Sequence, residues 1–174
     1  MKNVPVLLLV LLFAAPAWGQ QKLRIGFVDV QRAISLSQAG KQAEKRFQSD
    51  VKRVEQELTK EKEQLEQLKA DLGKKSILLN EEQKRNLEME FQKRYRDYQR
   101  NVQDSQEELR LKRDEAMGQI LKGIEGAVAE VGKKENFTLI LTRNQLLYVD
   151  QGVDITEKVI ALYDSRIADG KAKK

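Results

Sequence analysis

Three aspartates near the two ends of the chain come closest to a catalytic arrangement. Asp150 and Asp154 lie near the C-terminus, and Asp29 follows an apolar stretch near the N-terminus. Paired carboxylates can act as general acid and base when a pocket holds a substrate between them. The 174-residue chain contains no Cys and no His, so it lacks thiolate nucleophiles, an imidazole base and the commonest zinc ligands. It has no glycine-rich phosphate loop either. We therefore predict capping and strand-end roles for these aspartates, no enzymatic activity, and no cofactor or metal site.

Two apolar groups are better candidates for binding, because they interrupt an otherwise charged sequence. Phe91, Tyr95, Tyr98 and Val102 recur at helical spacing. They form the seam between two helices, or part of the stripe faces a cavity in which aromatic faces contact many partners weakly. Ile77-Leu78-Leu79 are three consecutive large apolar residues at a connection between helices. They close the end of a helical hairpin, or they are exposed at its tip. All of these residues are candidate contact residues.

The charge pattern argues against nucleic-acid binding. The formal net charge is +5, yet residues 41–115 contain 19 basic and 18 acidic residues in a fine mixture. A nucleic-acid groove requires a stripe of one sign with aromatic residues between the cations. The closest approach to such a stripe is Lys93, Arg94, Arg96 and Arg100, which are diluted by Glu88, Glu90 and Asp97. We therefore expect no nucleic-acid partner.

Residues 1–19 have the features of a secretory signal peptide. Lys2 supplies the positive charge, residues 6–15 are apolar, and Pro16 precedes the small residues Ala17 and Gly19 at the −3 and −1 positions. The apolar run is about half of the ~20 residues that span a bilayer, which favours a cleaved signal over a membrane anchor. No cysteine is available for acyl anchoring. We therefore expect an exported protein.

Beyond residue 20 the chain contains no proline, which permits very long helices. In residues 22–30, the apolar Leu23, Ile25 and Phe27 alternate with Arg24 and Gly26, which predicts a short strand. Residues 31–132 are predicted to be helical. Residues 137–150 predict two further strands separated by a polar turn at 143–145. Asp154 and Glu157 predict a capping box that starts a last helix. Its apolar face comprises Ile155, Val159, Leu162, Tyr163 and Ile167.

The helical region divides into two halves with coiled-coil spacing. The first seam comprises Phe47, Val51, Val54, Leu58, Leu65, Leu68 and Leu72, with Glu61 as a charged member. The second comprises Phe91, Tyr95, Tyr98, Val102, Leu109 and Ala116, with Ser105 and Lys112 as polar interruptions, after which the stripe shifts to Met117, Ile120, Ile124, Ala127 and Val131. Such a narrow seam suits one partner helix, and the shift predicts that the strands become the packing partner from about residue 117.

The two helices are expected to be antiparallel because their connection is short. Gly73 is a predicted C-cap, and Asn80 with Gln83 is a predicted capping box. Each helix should reach roughly 60 to 75 Å at 1.5 Å per residue. Gly118, Gly123 and Gly126 lie inside the second helix, where they permit either bending or close packing of helix on strand.

We therefore predict an α+β fold, mostly α, in which N- and C-terminal strands form a small β-body that carries a long antiparallel coiled-coil hairpin. The predicted segments are a signal peptide at 1–19, the first strand and start of the β-body at 20–36, the hairpin at 37–132 with its tip at about 73–80, the remaining strands and helix at 133–169, and a basic, disordered tail at 170–174. Few strands cannot form a stable sheet alone, so we expect oligomerisation through this sheet.

The two ends of the chain resemble the periplasmic chaperone Skp, or OmpH, family. The resemblance rests on Lys22-Leu-Arg-Ile-Gly-Phe-Val-Asp-Val-Gln-Arg-Ala-Ile, on Phe137-Thr-Leu-Ile-Leu-Thr-Arg through Leu146-Leu-Tyr-Val-Asp, and on Val153-Asp-Ile-Thr-Glu-Lys-Val-Ile. It implies a homotrimer whose strands form a central β-body and whose helical tentacles enclose unfolded outer-membrane β-barrel proteins without ATP. The candidate contact residues would then face these clients.

One departure from the family concerns charge. Well-known members have strongly basic tentacles, whereas residues 41–115 are nearly neutral, a pattern that does not support contact with lipopolysaccharide or a membrane. The alternative interpretation is a structural coiled-coil protein, either an envelope scaffold or an adaptor of a transport machine. The strands at both ends favour the chaperone, since an adaptor of the membrane-fusion type would need further domains for which this chain has no room.

Overall fold

The computed structural model describes residues 23–75 and 79–172. The predicted signal peptide, Ile77, Leu78 and the terminal Lys173-Lys174 lie outside the described residues. The described chain forms strand β1 (Ile25–Val28), helices α1 (Val30–Leu36), α2 (Gln38–Lys75) and α3 (Glu81–Lys134), strand β2 (Leu139–Thr142) and helix α4 (Thr156–Ala172). Short 3-10 turns cover Arg143–Gln145 and Gln151–Val153. The predicted mostly helical fold with a small β part is confirmed.

The small sheet joins the two ends of the chain. β1 and β2 are parallel, with Ile25 opposite Leu139 and Val28 opposite Thr142. A parallel pair requires a long crossover, and here the crossover is the whole helical hairpin. One face of the sheet packs on the helices through Val28 and Ile140.

The predicted strand over residues 146–149 is not formed in the single chain. These residues follow a 3-10 turn rather than a hairpin turn. In addition, the edge of β1 that does not face β2 is occupied at Phe27, because the Phe27 carbonyl accepts a hydrogen bond from the Ile155 N–H at 3.0 Å. Without a strand to pair with, Leu147 and Tyr148 are 109% and 87% exposed. The segment therefore presents two large apolar side chains at the surface of the single chain.

The helical region is interrupted at Ser37, which the sequence reading missed. Ser37 has extended backbone (φ −62°, ψ 153°) and separates α1 from α2. Its buried hydroxyl donates to Ile34 O at 2.9 Å and accepts from Gly40 N at 3.1 Å. A Cβ at Gly40 would lie 1.8 Å from Ile34 O, so only glycine permits this close approach of the two helices.

The two helices of the hairpin pack along the predicted first seam. Val54 and Leu65 are buried, and Phe47, Val51, Leu58, Leu68 and Leu72 are half-buried. At about 1.5 Å per residue, α2 and α3 are roughly 57 and 81 Å long. Glu61 of α2 contacts Asn101 of α3, and the earlier Phe47 contacts the later Arg113, which confirms the antiparallel arrangement.

The capping predictions have mixed outcomes. Asn80 accepts from Gln83 N–H at 2.8 Å, and Gln83 Oε1 accepts from Asn80 N–H at 3.2 Å, so the predicted capping box is confirmed. The C-cap at Gly73 is wrong, because α2 continues to Lys75 and none of the described glycines has a positive φ. The tail prediction also began too early, since α4 continues through Gly170.

The main core lies where α3 meets α1, α4 and the sheet. The shifted stripe of α3 is buried there except for the half-buried Met117, and so is most of the predicted face of α4. The buried members are Val28, Ala33, Ile34, Ile120, Ile124, Ala127, Val131, Ile155, Val159, Ile160 and Tyr163. The prediction of a new packing partner beyond residue 117 is therefore confirmed, although that partner is mainly α4 and α1 rather than the strands.

Candidate functional site

The hairpin, formed by α2 and α3, offers a long accessible surface. Beyond the base, which α1, α4 and the two strands form with the ends of the hairpin, the described part of α2 packs against α3. The charged residue in the seam of α2, Glu61, is accommodated by an amide. Asn101 Nδ2 donates to both carboxylate oxygens of Glu61 at 3.1 Å. Nearer the base, the Arg113 guanidinium lies 5.9 Å from the centroid of the Phe47 ring. These contacts lie across the interface between the two helices, beside the buried seam residues Val54 and Leu65.

The structure separates the predicted aromatic stripe into two groups. Phe91, Tyr98 and Val102 are half-buried in the seam. Tyr95 is 47% exposed and stacks on Phe91 with ring centroids 6.1 Å apart. The seam interpretation therefore fits three members, whereas Tyr95 lies largely outside the seam. Leu79 is half-buried next to the capping box, and its predicted neighbours at the tip lie outside the described residues.

Charges along the hairpin neutralise one another locally. Arg53–Glu57, Arg110–Asp114 and Lys112–Glu108 are ion pairs four residues apart, at 3.0, 3.0 and 2.7 Å. A hydrogen bond from Lys112 lowers the pKa of Glu108, and one from Arg110 lowers the pKa of Glu107. The groups stay ionised but balanced, so the outer surface presents no stripe of one sign.

Ion pairs at the base connect the N-terminal strand region to α3 and α4. Arg24 pairs with Glu135 at 3.0 Å, and Lys158 pairs with the same carboxylate at 2.7 Å. The hydrogen bond from Lys158, more than the charge of Arg24, lowers the pKa of Glu135. Arg166 and Lys134 both pair with Glu130, and the hydrogen bond from Lys134 is the larger cause of the lowered pKa of that carboxyl. These contacts stabilise the root of the hairpin, which is the end at which α2 and α3 join the base.

The three aspartates considered for catalysis are engaged as caps. Asp29 Oδ1 accepts from Arg32 N–H at 2.9 Å at the start of α1. Asp150 accepts from Gly152 N–H at 2.7 Å, and Asp154 accepts from Thr156 N–H at 2.8 Å. The predicted capping box at α4 is not formed, because Glu157 pairs with Arg32 instead.

Asp164 provides a cap that the sequence reading missed. Its Oδ1 accepts from the Gln38 N–H at 2.9 Å, so a residue of α4 caps the first helix of the hairpin. Sequence spacing gives no signal for this contact, because the two residues are 126 positions apart. Within the described ranges no group of three or more acidic side chains could hold a metal ion.

A cleft of about 870 Å³ lies where the hairpin leaves the base, between α1, α2, α3 and Tyr163. The seam positions of α2 carry small residues here, Ala39, Gly40 and Ala43, and Ala116 faces them from α3. Large residues fill the same seam farther out. This change from small to large seam residues is visible in the sequence and could have predicted the cleft, but the seam was predicted only from its large residues. Burial, followed by the charge of Asp164, raises the pKa of Tyr163 at the cleft wall.

Comparisons with known proteins agree with this architecture. The family model described as outer membrane protein (OmpH-like) matches residues 24–163. A crystal structure of a proposed outer membrane chaperone (OmpH-like) from Caulobacter crescentus superposes with a TM-score of 0.78 at 22% identity, and the match covers 82% of this chain and 84% of that one. No curated protein sequence matches the chain. Among the described helices, none is both long and apolar enough to cross a membrane.

Proposed function

Since this chain belongs to the OmpH-like outer membrane protein family, we propose that it is a periplasmic chaperone. It acts as a holdase without ATP, enclosing unfolded outer-membrane β-barrel proteins and preventing their aggregation. It is not an enzyme, and residues 1–19 are a signal peptide that is removed on export. The observation that carries this proposal is the hairpin itself. Two long helices share one narrow seam and project from a small base, so most of their surface is free for contact.

Self-association through the base is part of the proposal. Several large apolar side chains of the base are exposed in the single chain: Leu23, Ile25, Leu139, Leu147 and Tyr148. Exposed apolar groups of this kind mark association surfaces, and residues 146–149 lack a partner strand within the described chain. A homotrimer, as the family resemblance implies, would supply that partner. It would also place three hairpins around one cavity.

Client contacts are proposed at the residues predicted from sequence. Tyr95 combines exposure with an apolar body and a polar tip, which suits many weak contacts. Phe91, Tyr98 and Val102 contribute only through their exposed parts. Ile77, Leu78 and Leu79 remain proposed contacts at the tip. Many weak contacts on adaptable surfaces give broad specificity and easy release. The balanced charge of the hairpin does not support lipopolysaccharide as a principal partner.

The test is an aggregation assay. A urea-unfolded outer-membrane β-barrel protein is diluted into buffer with and without a few-fold excess of this protein, and light scattering is followed without nucleotide. We expect the scattering to be suppressed and the mixture to elute as a defined complex. If the client aggregates as fast as it does alone, the holdase function is refuted and the scaffold interpretation replaces it.

A variant pair tests the contact surface. Tyr95→Ser should weaken suppression of aggregation, because it removes an exposed aromatic face from the hairpin. Arg96→Ser is the matched control, since Arg96 is also exposed on α3 and lies one position away. Equal suppression by both variants would remove Tyr95 from the contact surface.

A further inference from the structure

We propose that the cleft at the root of the hairpin binds an extended, uncharged polypeptide segment with large apolar side chains. The inference rests on the proposed chaperone function and assigns one defined contact site within it. All of the residues that line the cleft belong to one chain, so the site is complete without a second copy.

The floor of the cleft is apolar and incompletely filled. Ala39 and Ala43 of α2 and Ala116 and Met117 of α3 are half-buried, whereas Ile120 beneath them is only 5% exposed. Small side chains at facing seam positions leave a space that no other side chain of the described chain occupies. A space of about 870 Å³ lies within the range of pockets that bind organic ligands. Large apolar side chains of a ligand would therefore gain burial here.

The mouth of the cleft carries amide groups that suit a peptide backbone. Gln31 and Gln42 line the cleft, and neither has a hydrogen bond to another described side chain. Gln119 makes only a long bond of 3.3 Å, to Glu115. A primary amide both donates and accepts, and an extended peptide presents unpaired N–H and C=O groups that require both. An acyl chain requires neither.

The charges around the cleft favour an uncharged segment over an anionic lipid. Arg46, Lys112 and Arg113 line the cleft together with Glu44 and Asp50. Lys112 is paired with Glu108 at 2.7 Å, so the three cations are matched by three carboxylates. Anionic headgroups are recognised by clusters of cations, and here each cation has a carboxylate to balance it. The occupant that complements both the apolar floor and the balanced rim is a polypeptide segment that alternates apolar and small polar residues.

Direct binding can be measured by fluorescence because the chain has no cysteine, so one introduced cysteine is labelled uniquely. Ser35→Cys at the cleft carries an environment-sensitive fluorophore, and Gln103→Cys, exposed on α3, is the control position. The probe is a capped, uncharged peptide of about nine residues, the length of one membrane β-strand, alternating valine or tyrosine with serine. We expect an emission change at position 35 only. No change at position 35, or a change with phosphatidylglycerol vesicles but not with the peptide, would overturn the proposal.

Filling the cleft provides the second test. Ala43→Leu combined with Ala116→Leu should raise the peptide dissociation constant about tenfold or more, the factor expected when one large apolar side chain loses its burial. Ala70→Leu combined with Ala129→Leu is the matched control, because both alanines are exposed on the same two helices. Circular dichroism and melting temperatures establish that each variant is folded. Unchanged peptide affinity in a folded, filled variant overturns the proposal. If the filled variant does not fold, the fluorescence titration of the labelled Ser35→Cys protein with the peptide tests the proposal instead.

The aggregation assay separates this proposal from the holdase function on which it rests. If the wild-type protein fails to suppress client aggregation, the proposed function itself is refuted. If it succeeds and the filled variant suppresses aggregation at the same protein concentration equally well, only the cleft proposal is refuted. Weaker suppression by the filled variant, with the control unchanged, supports both.

Discussion

Replacing Gly123 by alanine tests how tightly α4 packs against the long helix α3. A Cβ at Gly123 would lie 2.3 Å from Tyr163 Cε2, and the Tyr163 ring is only 9% exposed, so it has little room to move. At Gly118, in the same helix, an added Cβ meets nothing within 4 Å. The two glycines therefore form a matched pair that differs only in the neighbour.

The expected magnitudes follow from two opposing terms. Either substitution gains about 1 kcal/mol of helix propensity, because glycine is that much poorer than alanine in a helix interior. At Gly123 the clash with Tyr163 adds an overpacking cost of about 1–3 kcal/mol. We therefore expect Gly118→Ala to raise the free energy of unfolding by up to about 1 kcal/mol, and Gly123→Ala to lower it by up to about 2 kcal/mol.

Urea unfolding followed by circular dichroism measures both values, at one fixed protein concentration because oligomer stability depends on concentration. In a Tyr163→Leu background, the penalty of Gly123→Ala should shrink, since the clashing ring is absent. Equal stability of the Gly118→Ala and Gly123→Ala variants would refute the packing explanation. The alternative, in which Gly118, Gly123 and Gly126 permit bending, predicts that replacing all three narrows the range of hairpin openings in small-angle scattering.

Three further predictions concern the base and the seam. Asp164→Ala should lower the free energy of unfolding by about 0.5–2 kcal/mol, because the first helix of the hairpin loses its cap. The control is Asp169→Ala, at an exposed position of α4, which should have little effect in the same urea titration. Because the hydrogen bond from Lys158 holds the pKa of Glu135 below its usual value, this carboxylate stabilises the fold above its unfolded-state pKa, and the contribution is lost as the pH falls through the folded-state pKa. Glu135→Gln should therefore make the melting temperature fall less between about pH 5 and pH 3, and an unchanged acid profile would contradict this assignment. Replacing Glu61 by leucine should stabilise the hairpin by about 1 kcal/mol, because Glu61 is the half-buried charged member of the α2 seam and about 25 cal/mol is gained per Å² of apolar surface buried there. A loss of stability in thermal melts would show that the hydrogen bond from Asn101 is needed.

Local patterns in the sequence predicted most of the fold. The seam of α2, the capping box at Asn80 and the shifted stripe ending at Val131 depend on residues within a few turns of one another, where spacing alone specifies which side chains share a face. The same reasoning failed at Gly73, because glycine can also remain in a helix when no positive φ is required. It failed at Ser37 as well, where the chain breaks without a proline.

The candidate site was predicted in part. Spacing identified the stripe of Phe91, Tyr95, Tyr98 and Val102, but it could not separate Tyr95 from the other members. That separation depends on the rotation of α3 about its axis against α2. The cleft was not predicted at all, although the small residues Ala39, Gly40 and Ala43 are visible in the sequence.

The sequence by itself therefore determined that two long helices form, which faces they bury and that the ends of the chain supply the strands. Each of these features follows from the periodicity of one segment. Only the tertiary structure decided that β1 and β2 are parallel, that Asp164 caps α2 and that Tyr163 packs on Gly123. These contacts join residues that lie 40 to 126 positions apart, and no local periodicity encodes which distant surfaces meet. The cleft, which depends on where the two helices separate, belongs to this second group.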